Sequence, residues 1–142
     1  MISSKPLPSY VIAHADGGSR GNPGPSASGW VIQDPLSLEV LADGGEFLGI
    51  TTNNQAEYRA VLDLLKFCLQ NGIQELDIRL DSLLVVNQVN GLWKVKNRDL
   101  WPIYEEIKEL CKKFKSIKFT HVLREFNKLA DAKANQIMDS AK

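Results

Sequence analysis

Four acids in this sequence sit where predicted elements end or turn inward: Asp16, Glu57, Asp81 and Asp131. Taken singly, each has a plain role. A strand-terminal Asp serves as a turn residue or helix cap, a first-turn Glu complements the helix dipole, and Asp131 fits a solvated acid near a helix start. Together they would do something else. Clustered carboxylates repel one another, and they stay ionised only where cations neutralise them; otherwise their pKa values rise. An all-oxygen ligand set suits Mg²⁺ or Mn²⁺. Two such ions about 4 Å apart activate a water and stabilise the leaving oxygen of a phosphodiester. No obvious covalent nucleophile accompanies the acids, so direct attack by water fits.

The elements around them predict this convergence. Ser9–Asp16 alternates weakly, is rich in small and β-branched residues, and reads as a central strand ending on Asp16. The Gly17–Pro25 tract that follows reads as a loop. Trp30 begins a second strand, broken by Asp34-Pro35, and Leu38–Leu48 makes a third; the short links imply an antiparallel meander. A helix capped by Thr52 or Asn53 runs to Asn71-Gly72 and carries Glu57, Val61, Leu64 and Cys68 on one face. Glu75–Asp81 alternates strictly as a fourth strand, and Ser82–Asn90 is a short helix. Trp93–Asp99 is irregular and basic, Trp101–Phe114 is an amphipathic helix, and Ser116–Val122 is a fifth strand. A loop, Leu123–Asn127, leads into a last helix from Lys128 to Met138.

The order βββαβααβα predicts an α/β fold: a mixed five-stranded sheet flanked by helices. The helix after strand three makes a crossover that sets strand four parallel to strand one. Asp16 and Asp81 then meet at the switch point where open α/β sheets form sites.

Composition narrows the class. A chain of 142 residues, 44% hydrophobic, suits one domain over 1–142 with residues 1–8 as a loose lead-in. No apolar run of about 18 residues is present, so no membrane span is expected. Cys68 and Cys111 lack metal-ligand spacing and read as reduced, buried thiols of a cytoplasmic protein. Seventeen basic and 17 acidic residues balance overall. Residues 1–93 carry a net −5, however, and residues 94–142 a net +5, which allows an acidic site beside a basic track.

Five ordered segments carry a resemblance: DGGSRGNPGPSASGW, TTNNQAEYRAVLDLL, RLDSLLVVNQVNG, VKNRDLW and HVLREFNKLADAKAN. Together they resemble type 1 ribonuclease H over nearly the whole of Tyr10–Met138. The resemblance implies the fold just described and an endonuclease that uses two Mg²⁺ or Mn²⁺ ions. Its substrate would be the RNA strand of an RNA–DNA hybrid, its products 5′-phosphate and 3′-hydroxyl ends. The family's four catalytic and metal-holding acids fall on Asp16, Glu57, Asp81 and Asp131.

A hybrid is told from duplex DNA by its 2′-hydroxyls and its shape. The small residues Gly17, Gly18 and Ser19, with Asn22, would let backbone groups approach a sugar–phosphate chain. Thr52, Asn53, Asn54 and Gln55 offer amides and a hydroxyl for 2′-OH groups and base edges. The resemblance assigns Thr52, Asn53 and Asn54 contacts to both strands, and gives Asn97, with the threonine, a DNA phosphate. Ser82 follows Asp81 and is a further candidate contact. Two departures stand out. The basic, Trp-rich protrusion of well-known bacterial members is missing, which leaves Lys94 and Lys96 (with Arg98) as a reduced basic track. Where many relatives place a loop His, this chain has Arg124, whose help would be electrostatic because Arg does not act as a base. His14 reads as a strand residue near the site, His121 as a strand-surface residue, and Asn135 as a neighbour one turn after Asp131. The chain is expected to work as a monomer. The competing readings are a non-catalytic hybrid-binding module and another nuclease of the same superfold.

Overall fold

The computed structural model describes residues 7–141. Ten elements follow in order: β1 Tyr10–Ser19, β2 Gly24–Gln33, β3 Val40–Thr51, α1 Asn53–Gln70, β4 Glu75–Leu80, α2 Leu83–Val89, α3 Trp101–Cys111, β5 Ser116–His121, a 3₁₀ turn Arg124–Phe126, and α4 Lys128–Ser140. They build one sheet in the order β3-β2-β1-β4-β5. The meander β1-β2-β3 is antiparallel, while β1–β4 and β4–β5 are parallel. The predicted mixed sheet and crossover are therefore present.

Period-2 alternation sorts the side chains by face. Val11, Ala13 and Ala15 of β1 join Leu76, Ile78 and Leu80 of β4 on the face covered by α1. Leu64 and Leu65 of α1 are fully buried there, each contributing about 1.5–3 kcal/mol. Helix α3 packs on α1, and α4 covers the opposite face over β2, β1 and β3. The Tyr58 hydroxyl donates to Gln88 Oε1, and Gln88 Nε2 donates to the Lys94 carbonyl at 3.2 Å. This chain of bonds ties α1 to α2 and to the segment after it. Among the described residues, no helix is long and apolar enough to cross a membrane.

Some boundaries differ from the sequence expectation. The Gly17–Pro25 tract is mostly strand, not loop. Strand β1 runs on to Ser19 and β2 starts at Gly24, with Gly17↔Ser28, Gly18↔Ala27 and Ser19↔Ser26 in register. Only Arg20–Pro23 turns. Small residues weaken strand propensity, but the ladder with β2 holds them in strand here, and at Gly17 the close approach of α1 requires the missing side chain. Asp16 is thus mid-strand rather than strand-terminal. Helix α3 stops three residues short of the expected Phe114, and α4 runs two residues past Met138. The lead-in expected over residues 1–8 lies largely outside the described residues; of the rest, Leu7 packs against the core rather than hanging loose. Cys68 is buried as expected, and Cys111 is half-buried.

Candidate active site

Strand β1 parts from β4 just before the first acid. Their ladder ends at His14↔Arg79, whereas β1 continues alongside β2. The gap opens at Asp16. Asp81 follows the last residue of β4, and Ser82 caps α2 by accepting from the Val85 N–H at 3.3 Å. The divergence of two parallel strands thus sets two carboxylates at one cleft.

Two glycines bring in the other acids. Gly17 adjoins Asp16, and a Cβ there would collide with the backbone of Ala56 and lie 2.5 Å from the Glu57 nitrogen. Its absence lets the start of α1 press onto β1 and delivers Glu57. A reciprocal capping box fixes that start: the Gln55 N–H donates to Thr52 Oγ1 at 3.2 Å, and the Thr52 N–H to Gln55 Oε1 at 3.3 Å. Gly29 stands directly across β2 from Asp16. A Cβ at Gly29 would lie 2.5 Å from the Ala134 nitrogen and 2.8 Å from the Ala130 carbonyl oxygen. Helix α4 therefore seats on the strand, with Asp131 in its first turn.

One oxygen from each of Asp16, Glu57 and Asp81 lies within 4.8 Å of the others. Asp131 joins through a side-chain hydrogen bond with Asp16. Burial, then Asp81, the bond to Asp131 and the charge of Glu57 push Asp16 up to about 8. Burial also pushes Glu57 up to about 7, against a Ser82 hydroxyl bond that favours its charged form, with Asp81 adding to the rise. Clustered, half-buried carboxylates of this kind are a hard, all-oxygen donor set that fits a divalent cation. The cavity they line, about 450 Å³, also has Gly17, Gly18, Ser19, Asn53, Arg124 and Asn135 on its wall.

The start of α4 is held by a residue not singled out from the sequence. Asn127 is fully buried. Its Nδ2 donates to the Ala15 carbonyl at 3.0 Å, and its Oδ1 lies 3.0 Å from His14 Nδ1. Since Nδ2 is the donor, Oδ1 accepts, and the proton sits on His14 Nδ1. Burial lowers the pKa of His14, against the raising effect of that bond. The Asp131 N–H in turn donates to the Asn127 carbonyl at 3.1 Å. A chain of bonds therefore runs from β1 beside Asp16 to the backbone of Asp131.

The profile of the family described as Reverse transcriptase-like matches residues 14–137. A crystal structure of RNase H1 from the archaeon Halobacterium salinarum superposes with a TM-score of 0.89 at 41% identity, over 93% of this chain and 99% of that one. The chain belongs to the ribonuclease H family. A bifunctional protein of Mycobacterium tuberculosis is 42% identical over 131 residues, which are 92% of this chain and 36% of that protein. The chain thus spans about a third of the length of the first curated relatives it matches. The crystal structure of LC11-RNase H1 in complex with an RNA/DNA hybrid superposes with a TM-score of 0.87 at 35% identity, over 92% and 98% of the two chains.

Within this ribonuclease H fold, the remaining candidate residues divide. The Ser19 N–H donates to Asn53 Oδ1 at 2.8 Å, and the Asn53 N–H to Asn22 Oδ1 at 3.1 Å, which locks the hairpin to the start of α1 at the cavity. Asn54 is exposed beside them, while Thr52 and Gln55 are engaged in the cap. Lys94 and Lys96 line a separate cleft with Leu84, Gln88, Leu92 and Trp93. Asn97 is exposed, and its Oδ1 accepts from the Asp99 N–H at 2.9 Å. Arg124 lies on the 3₁₀ turn, its Nη2 4.0 Å from Asp131 Oδ1. His121 ends β5 and is exposed. Arg20, not selected from the sequence, also lines the acid cavity.

Proposed function

We propose that the chain is an endoribonuclease that hydrolyses the RNA strand of RNA–DNA hybrids, leaving 5′-phosphate and 3′-hydroxyl ends. The observation that carries this is the meeting of three carboxylates within 4.8 Å, with Asp131 bonded to Asp16, in a member of the ribonuclease H family. The substrate reading is supported by the likeness to LC11-RNase H1, whose structure holds a hybrid.

Asp16, Glu57, Asp81 and Asp131 would hold two Mg²⁺ or Mn²⁺ ions. Bound there, the ions would supply activation of the attacking water and stabilisation of the leaving oxygen. The residues of the chain do the rest. Ser82 fixes the Glu57 carboxylate by donating to it, and in the ionised state that bond holds one oxygen in place. Arg124, exposed at the rim near Asp131, supplies positive charge beside the product phosphate without exchanging a proton. Gly17, Gly18, Ser19 and Asn22 present close backbone and an amide to the sugar–phosphate chain. Thr52, Asn53, Asn54 and Gln55 form the edge that reads 2′-hydroxyls.

The chain belongs to the subgroup without the basic protrusion. In support, no helix interrupts the eleven residues between α2 and α3. Lys94, Lys96 and Asn97 on that segment form the reduced phosphate track, so binding is weaker and less salt-sensitive than in members with the protrusion. The chain acts in the cytoplasm as a monomer. A non-catalytic binding module would have no need of the four acids.

Asp16→Asn and Asp81→Asn test the assignment. Each is expected to lower hybrid cleavage in Mg²⁺ or Mn²⁺ at least about a thousandfold, or 4 kcal/mol, while hybrid binding survives. Near-normal turnover in either variant overturns the metal-holding role.

A further inference from the structure

Four acids repel a phosphodiester strand until cations offset them. Among the described residues lining their cavity, only Arg20 and Arg124 carry positive charge. Both are tethered to α4. Arg124 Nη2 lies 4.0 Å from Asp131 Oδ1, and Arg20 Nη2 lies 2.7 Å from Asp139 Oδ1. Asp131 and Asp139 are eight positions apart on one helix, about 12 Å at 1.5 Å per residue. A nucleic-acid strand carries a phosphate every ~3.4 Å of helix axis. The two guanidinium groups are thus anchored at different points along α4, more than one phosphate spacing apart in helix rise.

Resting on the reading of this cavity as a hybrid-cleaving site, we propose that Arg20 binds a backbone phosphate of the hybrid away from the scissile one, with Asp139 holding its guanidinium in place. Three observations support this. First, Arg20 is not needed to pin the hairpin. The single Ser19 O–H has the carbonyls of Gly21, Gly24 (3.2 Å) and Thr51 (3.1 Å) within reach, and the Arg20 N–H donates to the Pro25 carbonyl at 2.8 Å. Second, both side chains of the Arg20–Asp139 pair are about half or more exposed, at 48% and 64%, and such pairs add little stability. Third, the pair engages Nη2, and a guanidinium carries five N–H donors in a planar fork that matches a phosphate. A carboxylate on one edge leaves the rest of the fork for a second anion and limits the rotamers to be frozen on binding.

The test measures binding apart from cleavage. Kd for a fluorescein-labelled RNA–DNA hybrid is read by anisotropy in EDTA across ~50–200 mM salt, for the unaltered chain, Arg20→Ala, Arg20→Lys and Asp139→Asn. Arg20→Ala should raise Kd about five- to tenfold and reduce the slope of log K against log salt by about 0.7–0.9, the signature of one lost phosphate contact. Arg20→Lys should restore the slope and part of the affinity. Asp139→Asn breaks the ion pair but keeps the guanidinium, so its slope should match the unaltered chain and its Kd stay within about threefold. An unchanged Kd and slope in Arg20→Ala overturns the proposal. So does an Asp139→Asn variant that weakens binding as much as Arg20→Ala, since the pair would then act only by joining the hairpin to α4. Cleavage of the same hybrid by the unaltered chain in Mg²⁺ is scored separately, so failure of the nuclease reading is distinguishable from failure of the Arg20 contact.

Discussion

Asp16 and Glu57 hold protons near neutral pH until a cation replaces them, because burial and neighbouring carboxylates push them up to about 8 and about 7. The unfolded chain ionises both near pH 4. Between those limits the folded state binds more protons than the unfolded one, so metal-free stability falls as pH rises, by at most ~1.4 kcal/mol per pH unit for each group. His14 works in the opposite direction, but only below its ordinary value of 6.5. From about pH 6.5 to 8 the Asp16 and Glu57 carboxyls therefore dominate, with a small share at the lower end from Asp63, which burial and the neighbouring Glu46 push up to about 6. In EDTA, Tm should drop across that window; Mg²⁺ or Mn²⁺ should remove most of the drop, and Asp16→Asn should reduce it to the share of Glu57. A metal-free Tm that stays level or rises from pH 6.5 to 8 contradicts the raised Asp16 and Glu57 carboxyls. At this scale the convergence of the acids was legible in the sequence because Glu57, Asp81 and Asp131 lie at or near element ends, while Asp16 falls where β1 parts from β4 rather than at the end of its strand. Arg20 and Asn127 were not, because their partners, Asp139 and His14, lie 119 and 113 residues away.

The elements converge because two glycines let helices touch strands. Gly17 admits α1 beside Asp16, and Gly29, across the ladder from Asp16, admits α4. A tract rich in Gly, Pro, Asn and Ser reads locally as a loop. What makes it strand is its pairing with β2 and, at Gly17, the close approach of α1, which together override propensity. The seating of α4 also depends on the Asn127 side chain. It makes no cap bond to its own helix and goes instead to His14 and Ala15. Asn127→Ala leaves the His14 Nδ1–H and the Ala15 carbonyl without partners in a buried setting, at a cost of about 1–3 kcal/mol for each unpaired group. Because Asp131 hangs from the Asn127 backbone, kcat should fall about tenfold, with KM changed less than about twofold. Urea unfolding and steady-state cleavage together check this. A variant that loses stability yet keeps its full kcat shows that Asp131 is positioned without the latch.

At the scale of the molecule, topology and charge divide the work. The crossover and switch-point rules were enough to anticipate the parallel β1–β4 pair and the cleft at its end. They could not show that β1 and β2 run on beyond β4 as a long hairpin arm, since that depends on cross-strand pairing of small residues and on the approach of α1 at Gly17. The charge asymmetry has a partial physical counterpart. The acids of the cavity belong mainly to the first 93 residues, while the Lys94–Lys96 cleft and Arg124 belong to the basic remainder. The most direct measurement on the whole molecule uses one end-labelled RNA strand, paired either with DNA or with complementary RNA, alongside a duplex DNA control. Each is incubated over a titration of Mg²⁺ or Mn²⁺ from a chelated start. The expected result is internal cleavage of the RNA only in the hybrid and only with divalent metal. Cleavage that persists in EDTA, equal cutting of duplex DNA or duplex RNA, or an intact hybrid at every metal concentration would contradict a metal-dependent hybrid endonuclease built on Asp16, Glu57, Asp81 and Asp131.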